Sequence, residues 1–273
     1  MLGIELRQIK IIAAKEFWGR IRNRWVLSVA LVFTLFALSI AYFGAAQQGT
    51  VGFRGIEVTI ASLVSLVIYL IPLIALILGY DAIVGERERG SLDLLLSMPI
   101  TRLELLLGKF FGLSAALGFS TLIGFGSVGL LLAYKLNAVS LLHYGRFMLS
   151  AILMGMAFLS MAVMVSVIAT ERIRASGIAI SLWFFFVLIF DLLLLAVLVT
   201  GGGKIGTDVL PFLLFLNPAD IFRILNIFSS EDARAFYGLS TIMPNMLTNA
   251  GLLCTAMVFW IVAPLGVALW RFK

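Results

Sequence analysis

Six long apolar runs alternate with polar stretches along the chain. Because about 20 residues of α-helix, rising roughly 1.5 Å each, cross the hydrocarbon core of a bilayer, each run is long enough to span a membrane. The pattern therefore predicts an all-α integral membrane protein that forms a single transmembrane domain over residues 1–273. The six predicted transmembrane helices lie near 25–43, 62–80, 111–134, 147–169, 177–199 and 251–270.

Residues 81–104, between the second and third runs, mix acidic, basic and glycine residues and then turn to leucine. The leucine-rich part predicts a short helix that is apolar around most of its circumference, which water does not favour and a protein groove would accept. We interpret 81–104 as a coupling hairpin, with an ordinary solvated connector as the alternative. The residues assigned to coupling are Gly85, Glu86, Arg87, Glu88, Arg89, Gly90, Leu92, Leu94, Leu95, Leu96 and Met98.

The end of this hairpin also carries local signals. Pro99 restricts Met98 and so ends the short helix. Thr101 and Glu104 have the spacing of a capping box and predict the start of the next helix.

Residues 1–24 predict an N-terminal amphipathic elbow helix that lies on membrane lipid. Its apolar positions recur at three- and four-residue spacing, opposed by polar ones. The apolar positions are Leu2, Leu6, Ile9, Ala13 and Phe17, and the polar ones are Arg7, Gln8 and Lys15. A positively charged flank that only sets topology is an equally good interpretation.

Composition supports a membrane location, since 62% of the chain is hydrophobic and only 12% is charged. Fourteen of the 20 Lys and Arg residues fall on one side if the predicted helices alternate in direction. The positive-inside rule then places both termini in the cytoplasm, with the coupling hairpin on the same side. The net charge of +6 follows from this bias and does not favour nucleic-acid binding.

Residues 200–250 are too apolar for a free loop and predict an extracytoplasmic re-entrant helical hairpin. Asn217, Pro218 and Asp220 have the pattern of a helix start, with a cap, a proline at the first position and an acid in the first turn. We interpret the hairpin as closing the outer mouth or seating an outside partner.

Two sets of residues inside the predicted spans could carry chemistry. Asp191 is an acid within an apolar run, so it is either functional or hydrogen-bonded at a helix interface. Met154, Met161 and Met164 lie along one helix face and could ligate Cu(I), although methionine more often fills a core, and we assign no firm metal site. Asp81 is predicted to pair with an arginine or to cap backbone.

The chain is not predicted to be an enzyme or to hold a cofactor. Gly201–Lys204 invites comparison with a phosphate-binding loop, but Ile205 stands where Ser or Thr is required. No catalytic pattern of His, Cys or Ser replaces it.

The elbow helix, six spans, charged hairpin after the second span and re-entrant hairpin together resemble the ABC-2 class of ABC-transporter permeases. In that class the hairpin is a coupling helix that docks into a separate cytoplasmic ATPase, and this ATPase binds ATP and Mg. Tyr80–Glu86, Leu107–Phe110 and Leu216–Ile221 are similar to permeases that support copper-site assembly in nitrous oxide reductase.

The narrower resemblance implies a homodimer of permeases, two ATPase copies and an attached periplasmic protein, while the cargo, copper or a sulfur species, does not follow from it. An ABC-2 exporter of a drug, lipid or glycan would share the general features. A proton-coupled secondary transporter using Asp191, or an anchor for a periplasmic protein, is the alternative from another class.

Overall fold

The computed structural model describes residues 5–43, 56–133, 138–200, 210–227 and 249–272, and these form helices and short connections without a strand. The α-helices are α1 (Leu6–Arg22), α2 (Trp25–Phe43), α3 (Ile56–Gly79), α4 (Val84–Glu88), α5 (Ser91–Ser97), α6 (Arg102–Ala133), α7 (Ala138–Ile168), α8 (Arg172–Phe184), α9 (Phe190–Thr200), α10 (Leu210–Leu214), α11 (Pro218–Ile227) and α12 (Ala250–Arg271). A π-helix, Phe185–Ile189, joins α8 to α9.

Six stretches of the described helices have the length and hydropathy of membrane spans, which confirms the predicted all-α class with six transmembrane helices. They are Trp25–Phe43, Ser62–Glu88, Arg102–Leu131, Leu141–Ile168, Arg172–Val197 and Ala250–Arg271. The protein is therefore a multi-pass membrane protein.

Three details differ from the sequence-based expectation. The helix that begins at the predicted capping box continues without a break into the third span, so the stretch predicted near 111–134 is part of one 32-residue helix, α6. The fifth span is not a plain α-helix, since it contains the π-helix. Of the predicted outer hairpin over 200–250, only residues 200, 210–227 and 249–250 are among those the structure describes.

Helix α7 lies at the centre of the bundle and packs against α3, α6, α11 and α12. Its apolar side chains are buried around most of the helix, which is typical of a helix enclosed by others. Phe147 and Phe158 are fully buried, and the Phe147 ring contacts Phe125 and Phe222 from α6 and α11.

Helix α1 packs along α6 through two glycines, Gly108 and Gly112. A Cβ at position 112 would lie 2.5 Å from the Ala13 carbonyl oxygen and 2.7 Å from the Glu16 Cβ. A Cβ at position 108 would meet Ile12 at 2.6 Å. Glycine is thus required at both positions because the two helix backbones approach so closely.

The predicted apolar stripe of α1 is only partly correct. Ile9 is buried against α6, whereas Leu6 is exposed, and Leu2 lies outside the described residues. The face that meets α6 is centred between Ile9, Ile12 and Glu16, so it includes a charged residue that the apolar stripe left out.

Replacing Gly112 by alanine should lower the stability of the protein by about 1–3 kcal/mol, because the added methyl group overlaps the α1 backbone. The matched control is Gly126→Ala on the same helix, where a Cβ meets nothing within 4 Å. That change should leave stability unaltered or raise it by up to about 1 kcal/mol, since alanine favours helix. Thermal unfolding in detergent measures both variants, and an equal effect of the two would contradict this packing.

Candidate functional site

The candidate site is the connecting segment, residues 80–101, which joins α3 to α6 and contains α4 and α5. Gly90 separates these two short helices and has a left-handed backbone with φ of 70°. Because an L side chain is strained in that conformation, glycine permits the sharp turn. The connecting segment is therefore a folded helical pair and not an extended connector.

The corner where α7 ends holds the connecting segment through backbone hydrogen bonds. The Ser166 hydroxyl accepts from the backbone N–H of Ile83 at 2.8 Å and of Val84 at 3.0 Å, at the start of α4. The Arg87 guanidinium donates to the carbonyl oxygens of Ala169 at 2.7 Å and Val167 at 3.2 Å. Each helix end thereby supplies partners for groups that the other leaves unpaired.

A second attachment joins the connecting segment to the start of α8. Arg172 pairs with the Asp81 carboxylate, with Nε 2.6 Å from Oδ1 and Nη2 3.0 Å from Oδ2. The Glu88 carboxylate accepts from the backbone N–H of Arg172 at 2.7 Å. The predicted pairing of Asp81 with an arginine is confirmed. Gly85 lies so close to Asp81 that a Cβ there would collide with the carboxylate.

The third attachment is a buried ion-pair triad formed by Glu16, Glu86 and Lys109. The Lys109 ammonium lies 2.8 Å from Glu16 Oε1 and 3.2 Å from Glu86 Oε1, and its side chain is only 4% exposed. These residues come from α1, α4 and α6, so one cation joins three helices. A buried charge is stabilised only when it is paired in this way.

The capping box at the start of α6 is confirmed and has an additional role. Glu104 accepts from the Thr101 backbone N–H at 2.7 Å, and the Thr101 hydroxyl accepts from the Glu104 N–H at 3.2 Å. The other Glu104 oxygen accepts from the Glu5 N–H at 2.6 Å. The same carboxylate therefore caps α6 and holds the start of α1.

The structure divides the residues predicted to couple into two groups. Glu86 and Arg87 form contacts within the chain, and Glu88 accepts a hydrogen bond from the Arg172 backbone. Leu92 is buried in the protein's own core, and Leu95 and Leu96 are half-buried against it. Leu94 and Met98 are 68% and 55% exposed and form the apolar outer surface of α5, beside exposed Arg89 and Gly90.

A polar cluster of Asp191, Asn217, Asp220 and Arg223 holds α11 against the fifth span. Arg223 donates to Asp220 at 2.7 Å and to Asp191 at 3.1 Å. The Asn217 amide donates to Asp220 at 3.0 Å and to the Phe186 carbonyl oxygen at 2.8 Å. That carbonyl lies within the π-helix, where the irregular backbone frees groups for other partners.

The predicted start of α11 is confirmed, since the Asn217 side chain accepts from the Ala219 N–H at 3.0 Å and Pro218 is the first residue of the helix. Asn217, Pro218 and Asp220 are all buried within the chain. Burial raises the pKa of Asp220 to about 6, although the Arg223 cation opposes this shift.

The candidate functional residues within the predicted spans contact other residues of the protein. Asp191 pairs with Arg223, which favours the interpretation of a bonded acid at a helix interface. Met154 and Met161 are buried in the core cluster and Met164 packs against it, in keeping with core filling.

Sequence reasoning missed Lys109, Ser166 and Arg172 as members of the site. Lys109 did carry a signal, since it is a lone basic residue between Gly108 and Phe110 at the start of an apolar run. Ser166 and Arg172 carried none, because their partners lie more than 80 residues away in the chain.

Comparison with known proteins identifies the class. Residues 10–273 match the model of the ABC-2 family transporter proteins, and the chain belongs to this family. It is a permease subunit of an ABC transporter. The chain is 48% identical to the probable ABC transporter permease protein NosY of Pseudomonas aeruginosa, over 94% of each chain. It is 44% identical to the protein of the same name from Stutzerimonas stutzeri, again over 94% of both chains. The resemblance inferred from the short strings is confirmed.

Removing the cation of the triad should destabilise the protein strongly. We expect Lys109→Met to cost about 3 kcal/mol, because Glu16 and Glu86, whose side chains are 16% and 15% exposed, are left as partly buried carboxylates without a counter-charge. The triple variant Lys109→Met, Glu16→Gln and Glu86→Gln should recover most of this loss. Lys10→Met, at an exposed position, is the control. A thermal midpoint for Lys109→Met equal to that of the control would contradict the role of the triad.

Loss of Arg223 should make stability depend on pH. In Arg223→Met, burial of the Asp220 charge is no longer opposed, so the pKa of Asp220 rises further above 6. A carboxyl group whose pKa is raised by folding destabilises the folded protein when it is ionised. The loss of stability is therefore present above that pKa and is relieved as the pH falls below it. The deficit in thermal midpoint relative to wild type should therefore be larger at about pH 8 than at about pH 5.

The matched control for this prediction is Arg223→Met with Asp220→Asn, in which the titrating group is absent. This double variant should show a smaller pH dependence. A single variant whose deficit is the same at both pH values would contradict the assignment.

Proposed function

We propose that the connecting segment receives force from a separate cytoplasmic ATPase and passes it to the spanning helices. The observation that carries this proposal is the contrast between its two sides. The inner side is fixed to α1, α6, α7 and α8, while the outer side presents Leu94 and Met98 to the surroundings. A soluble protein with an apolar groove would cover these two side chains, since water does not favour an exposed apolar pair on a helix surface.

Rigid attachment is what such a role requires. A load applied to α5 reaches α6 through Glu86 and Lys109, and reaches the α7–α8 corner through Arg87 and Asp81. Because these contacts include charge-assisted hydrogen bonds, the segment would move together with α6, α7 and α8, and with α1 through Lys109. In this proposal the ATPase binds ATP and Mg, and the permease chain supplies no cofactor.

The orientation that fits this proposal has both termini and the connecting segment in the cytoplasm of a bacterial or archaeal cell, in the inner membrane. The distribution of Lys and Arg supports it. An ATPase dimer has two equivalent docking sites, so the proposal includes a homodimer of permeases.

For the biological role, we propose that the transporter supports maturation of the copper sites of nitrous oxide reductase, as the resemblance to NosY, the permease of the NosDFY transporter, implies. The two relatives named NosY support this choice over export of a drug, lipid or glycan. The partners would then be a NosF-like ATPase dimer and a NosD-like periplasmic protein. Pairing of Asp191 with Arg223 argues against a proton-coupled secondary transporter that uses this acid.

A charge on the outer side of α5 should uncouple the permease from its ATPase. We expect Leu94→Asp to weaken ATPase binding at least about tenfold, because the carboxylate would be desolvated in an apolar groove. The control is Leu94→Met, which keeps an apolar side chain of similar volume. Co-purification of the ATPase measures docking, and the copper content of nitrous oxide reductase from the same cells measures the transporter's role.

The two readouts separate the two parts of the proposal. Normal ATPase binding by Leu94→Asp would refute docking through α5. Normal copper content in cells that lack the permease altogether would refute the role in maturation, whatever the docking result.

A further inference from the structure

The start of α6 and the end of α12 lie side by side at one edge of the bundle. Helix α6 begins at Arg102 and α12 ends at Arg271. The Arg102 guanidinium donates to the carbonyl oxygen of Phe272, the residue after Arg271, at 3.4 Å. The two arginines therefore lie at the same level of the bundle, although they are far apart in the chain.

The length and surface of α12 place this level at the edge of the membrane. Its 22 residues, which rise about 1.5 Å each, cover about 33 Å, close to the roughly 30 Å of a hydrocarbon core. Phe259, Val262 and Trp270 fall on one stripe of this helix and are 66%, 59% and 68% exposed. An apolar stripe that stays exposed along a spanning helix faces lipid acyl chains, so Arg271 is at the level of the headgroups.

The positive charges of Arg102 and Arg271 are available to an external anion. Both side chains are exposed, and neither forms an ion pair with any residue that the structure describes. Glu104, the acid nearest to Arg102 in the chain, is buried and accepts hydrogen bonds from the backbone N–H groups of Thr101 and Glu5. Its carboxylate is thereby occupied within the chain and does not pair with Arg102.

The chemistry of the site narrows the class of the anion to a phosphate that carries acyl chains. A guanidinium group matches the geometry of a phosphate through two parallel N–H donors. The Arg271 guanidinium lies over the Trp270 ring, with Cζ 5.8 Å from the ring centroid. A tryptophan beside a basic residue at the end of a span is typical of the region where headgroups meet acyl chains. A free phosphate would account for the arginines but not for the exposed indole and the apolar stripe.

We propose that Arg102 and Arg271 together bind the phosphate of an anionic phospholipid, with an acyl chain along the exposed stripe of α12 and the Trp270 indole between the two. In the orientation proposed above, this lipid belongs to the cytoplasmic leaflet. Basic residues near an anionic surface each contribute about fivefold in affinity. A bound phosphate would join the start of α6, which follows the connecting segment, to the end of α12, where the described residues supply a single hydrogen bond of 3.4 Å between these two helices.

The test uses the full-length protein in phosphatidylcholine vesicles that contain a small, equal mole fraction of a brominated quencher lipid, either phosphatidylglycerol or phosphatidylcholine. The Trp270 signal is the difference in fluorescence between wild type and Trp270→Phe. We expect brominated phosphatidylglycerol to quench this signal at least about twofold more than brominated phosphatidylcholine. The preference should decrease as salt screens the charges.

Charge variants identify the groups responsible. Arg102→Gln with Arg271→Gln should remove the preference, while Arg102→Lys with Arg271→Lys keeps both charges and should retain most of it. The matched control is Arg146→Gln with Arg174→Gln, which removes two exposed cations from other helices and should leave the preference unchanged. A preference that survives in the glutamine variant of Arg102 and Arg271 would refute binding by these two side chains.

A separate arm distinguishes a lipid from a free phosphate. Inorganic phosphate added at constant ionic strength should leave the preference unchanged, because it lacks the acyl chains that occupy the stripe. Loss of the preference under this addition would identify a site for free phosphate and overturn the lipid assignment.

Two further results would overturn the proposal without any charge variant. Equal quenching of Trp270 by both lipids would show ordinary contact with acyl chains, without recognition of charge. Weak quenching by both would show that protein covers Trp270, through a second copy of the chain or another partner. These results decide the question even if the glutamine variant does not fold, and they do not bear on docking of the ATPase, which the measurement does not involve.

Discussion

Burial of the Lys109 ammonium is the constraint on which the connecting segment depends. A lysine with a side chain only 4% exposed needs counter-charge, and the two carboxylates that supply it belong to α1 and α4. Pairing of this one cation therefore brings together α1, the connecting segment and the third span. The close approach of α1 to Gly108 and Gly112 follows from the same requirement, because Glu16 reaches Lys109 only if the two helices are in contact.

The contacts of the connecting segment share a physical logic. Polar groups that a helix end leaves unpaired receive a hydrogen-bond partner from a nearby side chain. Ser166 accepts from the backbone at the start of α4, and Arg87 donates to the backbone at the end of α7. Glu104 accepts from the backbone at the starts of α6 and α1. In a protein whose spans offer little beyond apolar packing, these bonds determine which helices move together. The polar cluster does the same for α11 and the fifth span.

Much of the fold could be predicted from the sequence, because span length and hydropathy reflect the bilayer and not the tertiary structure. Local signals, such as the capping box at Thr101 and the start of α11 at Asn217, were also correct, because they depend on neighbouring residues in the chain and not on tertiary structure. Which leucines of α5 face outward could not be predicted, since a helix that is apolar all round has no preferred face until something packs against it. Leu92 is buried and Leu94 exposed because α4 and the hydrophobic core lie on one side of α5. The partners of Asp81 and Lys109 required three-dimensional proximity between distant parts of the chain.

The π-helix at Phe185–Ile189 sets the direction in which the side chains of the C-terminal half of the fifth span point. A single π-turn holds one residue more than the α-helical turn it replaces, which rotates everything beyond it by about 100°. Asp191 lies two residues beyond the end of the π-helix, and in this register its carboxylate is 3.1 Å from Arg223. A one-residue deletion within 185–189 would therefore keep the span hydrophobic and helical, yet turn Asp191 away from α11 toward another side of the bundle. The extra residue thus determines which face of the span carries Asp191. Homologous permeases that lack it would need a different partner for the residue equivalent to Arg223.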